Sequence, residues 1–138
     1  MIYPPTFEQK IGFDRLREQV AALCTMRAAR GLLAAEGFTT SAREIVRRLS
    51  LADEMRLLLE MNPDFPGGDY PDMDHVVAKL RVEGAFLDVE EVVTLRRALA
   101  MVGQLVAFIG ARGQQYPALY DLTRGVEAFP AIVQRIDA

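Results

Sequence analysis

The chain has a single cysteine, Cys24, and a single histidine, His75. One cysteine rules out an internal disulfide, so nothing points to an oxidising compartment. One histidine leaves zinc without the further His or Cys ligands it takes at helical or short-loop spacing. A basic excess is missing too: 16 Lys and Arg stand against 19 Asp and Glu, for a formal net charge of −3. A free-standing nucleic-acid binder draws its affinity from displacing phosphate counterions, so this chain alone is poorly suited to strong DNA or RNA binding. Only a local basic face could serve. No GxxxxGK[ST] phosphate loop occurs. The opening "MIYPPTFEQK" is polar and broken by prolines, unlike a basic-then-apolar leader. The most apolar run, Ala98 to Ala111, covers 14 residues and contains Gln104, short of the roughly 20 that span a bilayer. These readings predict a cytoplasmic protein that engages no membrane.

What is present reads as helix. At 138 residues, 51% hydrophobic and 25% charged, the chain is expected to be a single helical domain, or part of one, over residues 1–138, with enough length for one core. No segment sustains a period of two. "TFEQ" has the form of a capping box from Thr6 to Gln9. Gly12 should interrupt that turn, and Asp14 could cap a stretch through Leu23. Met26 to Glu36 should end on a left-handed Gly37. "SARE" supplies a second box, Ser41 to Glu44, opening a helix to about Met61 with Ile45, Leu49, Ala52, Met55 and Leu59 as its apolar stripe. "NPDFPGGDYPD", Asn62 to Asp72, is the one long loop. Short helices are expected from Asp74 to Glu83, closed by Gly84, from Pro117 to Arg124, and from Pro130 onward. The last has no terminating Gly, Asn or Pro, which leads us to expect a piece of a longer chain.

The segment from Leu87 to Gly113, "LDVEEVVTLRRALAMVGQLVAFIGARG", carries the strongest signal. Asp88 and Glu91 are placed to cap its start. Val92, Leu95, Leu99, Val102, Val106 and Ile109 then follow an unbroken 3-4 spacing. Val93, Met101, Leu105 and Phe108 flank that seam, and Arg96, Arg97, Gly103 and Gln104 form the remaining strip. Apolarity extends round the helix toward Val106. The expectation is an all-α fold, an irregular helical array around one long central helix, whose far end needs neighbours.

Chemistry is sparse. Asp69, Asp72, Asp74 and His75 look like a metal cluster, but an EF-hand counted from Asp72 meets Val76 and Val77 where Asp and Gly belong. An enzyme would need a metal on Asp72, Asp74 and His75; capping of the next helix by Asp72 or Asp74 is the plainer reading. Cys24 has no basic neighbour to activate it and reads as a small buried hydrophobe. "FIGARG" resembles the GXXG loop of KH domains, yet no strands flank it, and a helix ending on glycine explains it. Arg27, Arg30, Arg43, Arg47 and Arg48 are the only basic concentration. Glu44 precedes Arg48 by four, so local ion pairs on a solvated face are expected. Arg43, Arg47 and Arg48 remain the candidates for nucleic-acid contact. No catalytic, cofactor-binding or metal-ligating residue is assigned.

Four stretches together resemble a family: "FEQKIGFDRLREQVAALC", "ADEMRLLLE", "RVEGAFLDVEEVVTLRRAL" and "YPALYDLTRG". In order and spacing they look like the N-terminal part of bacterial type-2 MutS proteins, over essentially the whole chain. That subfamily lacks the mismatch-recognition and connector domains and begins in the helical core. The resemblance implies a fold like the first part of the MutS core domain. It also implies a full-length parent that is a homodimeric ATPase using ATP and Mg, commonly with an Smr nuclease module. Such proteins are associated with branched DNA, suppression of recombination and rescue of collided ribosomes. The partners implied are the remaining domains of the same chain, and DNA or ribosomes through the parent. No catalytic or nucleotide-binding residue of the family falls on this chain, and the segment itself would hold no cofactor. The competing expectation is an independent helical protein-interaction module.

Overall fold

The computed structural model describes residues 6–68 and 70–138. Among them every regular element is an α-helix, eight in all, and there is no strand. The all-α fold around one long helix is therefore observed. The chain divides into two compact units, Met1–Thr40 and Ser41–Ala138.

In the first unit α1 (Phe7–Lys10) and α3 (Arg27–Ala35) both pack on α2 (Phe13–Leu23). Phe38 meets Phe7 edge-on at 5.8 Å and Phe13 at 5.3 Å between ring centroids. Arg17 pairs with Glu8 at 3.0 Å and donates to the Glu36 carbonyl at 2.9 Å. None of this unit's described residues is fully buried. Gly12 breaks α1 from α2 as expected, at φ +74°, a left-handed conformation glycine adopts without a Cβ clash. Three expectations fail. Thr6 makes no capping bond, because at φ −88°, ψ 12° it lacks the extended backbone that aims a hydroxyl at the third amide. Asp14 lies inside the first turn of α2, with Gly12 in the capping position, and its Oδ1 is buried with no hydrogen-bond partner. Gly37 is not left-handed, since the chain already leaves α3 in extended conformation at Glu36.

The second unit contains α4 (Ala42–Met61), α5 (Asp74–Leu80), α6 (Val89–Gly110), α7 (Pro117–Thr123) and α8 (Pro130–Asp137). Ser41 accepts from the Glu44 amide and starts α4. At α6 the full box forms: Asp88 accepts from the Glu91 amide at 2.9 Å and Glu91 accepts from the Asp88 amide at 2.8 Å. Lys79 of α5 binds the same Glu91 carboxylate at 2.6 Å and, with the Asp88 amide, holds it below the usual carboxylate range. The short α7 packs on both α4 and α6, while α8 packs on α6. Leu58, Ile109, Tyr116 and Leu119 form the buried cluster where α4, α6 and α7 meet, with Leu51, Met55, Phe65 and Phe108 against it.

Two expectations about these helices need correction. The inward face of α4 is Leu51, Met55 and Leu58, whereas Ile45, Leu49 and Leu59 of the expected stripe are exposed. The apolar gradient on α6 also runs against its burial. Ile109 at the far end is enclosed by the chain's own residues and Phe108 is half-buried, yet Val89 at the start is 79% exposed. The 22-residue α6 is, by length and composition alone, long and apolar enough to cross a membrane, which the 14-residue run did not indicate. Its strip at Gly103 faces Ala128 at 3.5 Å, and Arg96 binds Asp137 at 2.9 Å, so α8 is fastened along that side.

Candidate interaction face on the fourth helix

A polar joint sets the orientation of α4. Its Glu54 carboxylate accepts from the Ala118 amide at 3.1 Å and the Leu119 amide at 2.9 Å. These are orphan donors of the first turn of α7, whose own capping residue, Tyr116, offers no side-chain bond. One turn past Leu58, Asn62 donates to the Tyr116 hydroxyl at 3.2 Å and accepts from Arg112 Nε at 2.9 Å. The Arg112 guanidinium lies 3.7 Å from the centre of the Phe108 ring. Both ends of the inner face are thus pinned, and the opposite face points outward.

That outward side carries the basic candidates. Arg43, Arg47 and Arg48 occupy the first two turns of α4. Glu44 binds Arg47 at 2.8 Å and Arg48 at 2.7 Å, and these two guanidiniums hold its carboxyl down to about 2. The local ion pairs expected from the spacing are present. Exposed pairs of this kind add little to stability; their effect here is to mute the field of two arginines. Arg43 is exposed. Val46 and Leu49, between the arginines, are 62% and 65% exposed. The face is therefore apolar as well as basic. Arg27 and Arg30 belong to the first unit, where Arg30 donates to the Cys24 carbonyl at 2.9 Å.

The other candidates resolve into structure. Asp72 accepts from the Asp74 amide at 3.1 Å, which is the capping role foreseen for this cluster, and His75 is exposed. Asp69 lies outside the described residues. Among those described, no three His, Cys, Asp or Glu side chains converge as a metal site would require. Cys24 is half-buried and its thiol donates to the Val20 carbonyl at 3.5 Å. In "FIGARG" the helix runs through Gly110, and a Cβ on Gly113 would come within 2.9 Å of the Tyr120 ring. That close approach accounts for the glycine. A cleft of about 570 Å³ lies over this turn, and an apolar one of about 400 Å³ lies between α6 and α8, lined by residues such as Leu99, Ala107 and Val133.

Periodicity could not have found Glu54, Asn62 and Arg112, because their partners lie 50 to 65 residues away in sequence.

These features define an all-helical protein presenting a mixed apolar and basic helix face. Over 128 residues, 93% of its length, the chain is 25% identical to the Endonuclease MutS2 of Pelotomaculum thermopropionicum. The chain spans 16% of that protein's length. This similarity supports a distant relationship to the MutS family without singling out a subfamily. No family model matches the chain, and no solved structure does.

Proposed function

We propose that the chain is a non-catalytic helical segment of a larger MutS-related protein of the type-2 subfamily. The observation that carries this reading is the lopsided similarity to Endonuclease MutS2, which takes in 93% of this chain and 16% of the relative. Apolar surface supports it: Leu49, Leu59, Val89 and Leu122 are all more than half exposed in the second unit. Soluble monomers seldom leave large contiguous apolar patches uncovered, and later helices of the same protein would cover these. In that setting α4, α6 and α7 transmit movement as one block, because the Glu54 and Asn62 joints tie them together. The parent protein would be a cytoplasmic, homodimeric ATPase using ATP and Mg, possessing in some forms an endonuclease module. It would act on DNA in repair or recombination control, or on ribosomes. The α6 helix would be a core helix of that assembly rather than a membrane span, consistent with Arg96 and Arg97 at its middle and with α7 and α8 packed on it.

The reading frame downstream of residue 138 tests the proposal. An open frame leading to a GxxxxGK[ST] motif is the expected result. A stop at that point would favour the second reading, an independent helical protein-interaction module, to which the same uncovered apolar residues also point. Nucleic-acid contact by this segment is tested separately by titrating it with fluorescent branched DNA at two salt concentrations. Binding through Arg43, Arg47 and Arg48 must weaken steeply with salt and with charge reversal at Arg43.

A further inference from the structure

The outward face of α4 has a regularity that its exposure alone does not explain. Ile45, Leu49, Ala52, Arg56 and Leu59 follow a 4-3-4-3 spacing, the seam of a helix that lies along another helix. All five are exposed, on the opposite side from Leu51, Met55 and Leu58. Charge divides along the same helix. Ala42–Ser50 carries three arginines against one glutamate, and Leu51–Met61 carries three carboxylates against one arginine. Glu54 is turned to α7, so Asp53 and Glu60 are the acids left on the outer side, bracketing Arg56 at 2.9 Å each. A face that is basic at one end, acidic at the other and apolar along its seam is complementary to itself when one copy is reversed.

We propose that this face binds a second copy of the same chain, with the two α4 helices antiparallel about a two-fold axis. Ile45 of one protomer then lies beside Arg56 of its partner, and Leu49 beside Ala52. The hydrocarbon stem of Arg56 covers Ile45 while its charged head stays with Asp53 and Glu60. Arg43 and Arg47 approach the acidic half of the partner helix. The reversed alignment also places each helix's positive end beside the other's negative end. A parallel pairing would set like charges against each other in both halves.

The experiment is sedimentation velocity on the 138-residue chain over a wide concentration series, together with disulfide trapping in a Cys24→Ser background. A concentration-dependent dimer is expected. Each substitution counts twice in a two-fold contact, so Leu49→Glu should raise its dissociation constant by roughly a hundredfold or more. Leu49 is exposed in the protomer, so helicity and thermal unfolding at low concentration should stay near the parent's. Arg43→Glu with Arg47→Glu should weaken the dimer, and adding Asp53→Arg with Glu60→Arg should restore it. Ile45→Cys should cross-link to Arg56→Cys in a mixture and not to itself, since two copies of residue 45 would sit about 16 Å apart along the axis, beyond disulfide reach. A chain that is monomeric throughout, a dimer indifferent to Leu49→Glu, or self-linking of Ile45→Cys overturns the proposal. In the longer parent protein, a Cys at position 45 shielded from alkylation without cross-linking would mean that a later segment of the same chain occupies the face. That result would overturn self-association while leaving the MutS-related reading intact.

Discussion

The two faces of α4 are nearly alike as sequence and entirely unlike as structure. Both carry apolar residues at helical spacing: Leu51, Met55 and Leu58 on one, Ile45, Leu49 and Leu59 on the other. The first reaches the core, where Leu58 is fully buried. The second is left in solvent. What separates them is the polar residue that travels with each. Glu54 and Asn62 accompany the inner face and find the amides of α7, the Tyr116 hydroxyl and Arg112. Asp53, Arg56 and Glu60 accompany the outer face and bind only one another among the partners seen here. Apolar spacing makes a helix face able to pack, and buried polar complementarity selects which face does.

Substitution on each face measures that difference directly. Leu58→Ala removes a fully enclosed side chain and should cost about 2–5 kcal/mol in chemical denaturation, depending on how far Ile109, Tyr116 and Leu119 collapse into the gap. At the matching outer position, Leu49→Ala should change stability by less than about 0.5 kcal/mol when measured dilute enough to be monomeric. A large loss at Leu49 would mean that the outer face is covered within the protomer, and the contrast would vanish.

The polar joint should rank between these extremes. Glu54→Ala leaves two amides at the start of α7 without their acceptor and should cost about 1–2 kcal/mol. Hydrogen exchange at Ala118 and Leu119 should accelerate with it. Tyr116→Phe keeps the buried ring and deletes only the hydroxyl that accepts from Asn62, for about 0.5–1.5 kcal/mol. If Glu54→Ala proved as mild as Leu49→Ala, α7 would be held by apolar contact alone.

The contrast also explains which features were legible in the sequence. Helix starts signalled by adjacent residues were readable, because cap and amide lie three residues apart: Ser41 with Glu44, and Asp88 with Glu91, both form. The long α6 was readable from its seam. The all-helical class followed from the lack of alternation. Thr6 matched the same pattern and failed, since a cap depends on backbone angles that the letters do not state. The inner face of α4 was misassigned because Met55 lies near the border of both stripes, so counting apolar positions admitted either. The basic trio was found by composition, and its pairing with Glu44 by spacing. Glu54, Asn62 and Arg112 were invisible because their meaning lies in contacts the fold creates.

The smallest expected effect concerns acid stability and separates the two ends of the outer face. Glu44 has an ordinary carboxyl value of 4.5 and is held at about 2 in the folded chain by Arg47 and then Arg48. A folded value below the unfolded one means that the unfolded state binds the proton more readily. The contribution of Glu44 is therefore complete above about pH 4.5 and declines as pH falls from there through about 2. Asp137, lowered by Arg96, and Glu91, lowered by Lys79, decline in the same direction. Glu44→Gln should thus leave a shallower fall in the denaturation midpoint between about pH 6 and about pH 3, with the remainder supplied by the other two. Arg43→Ala, a neighbour outside those ion pairs, should leave the slope unchanged. Equal flattening by both substitutions would assign the acid response to the overall charge of the helix end and not to the Glu44 pairs.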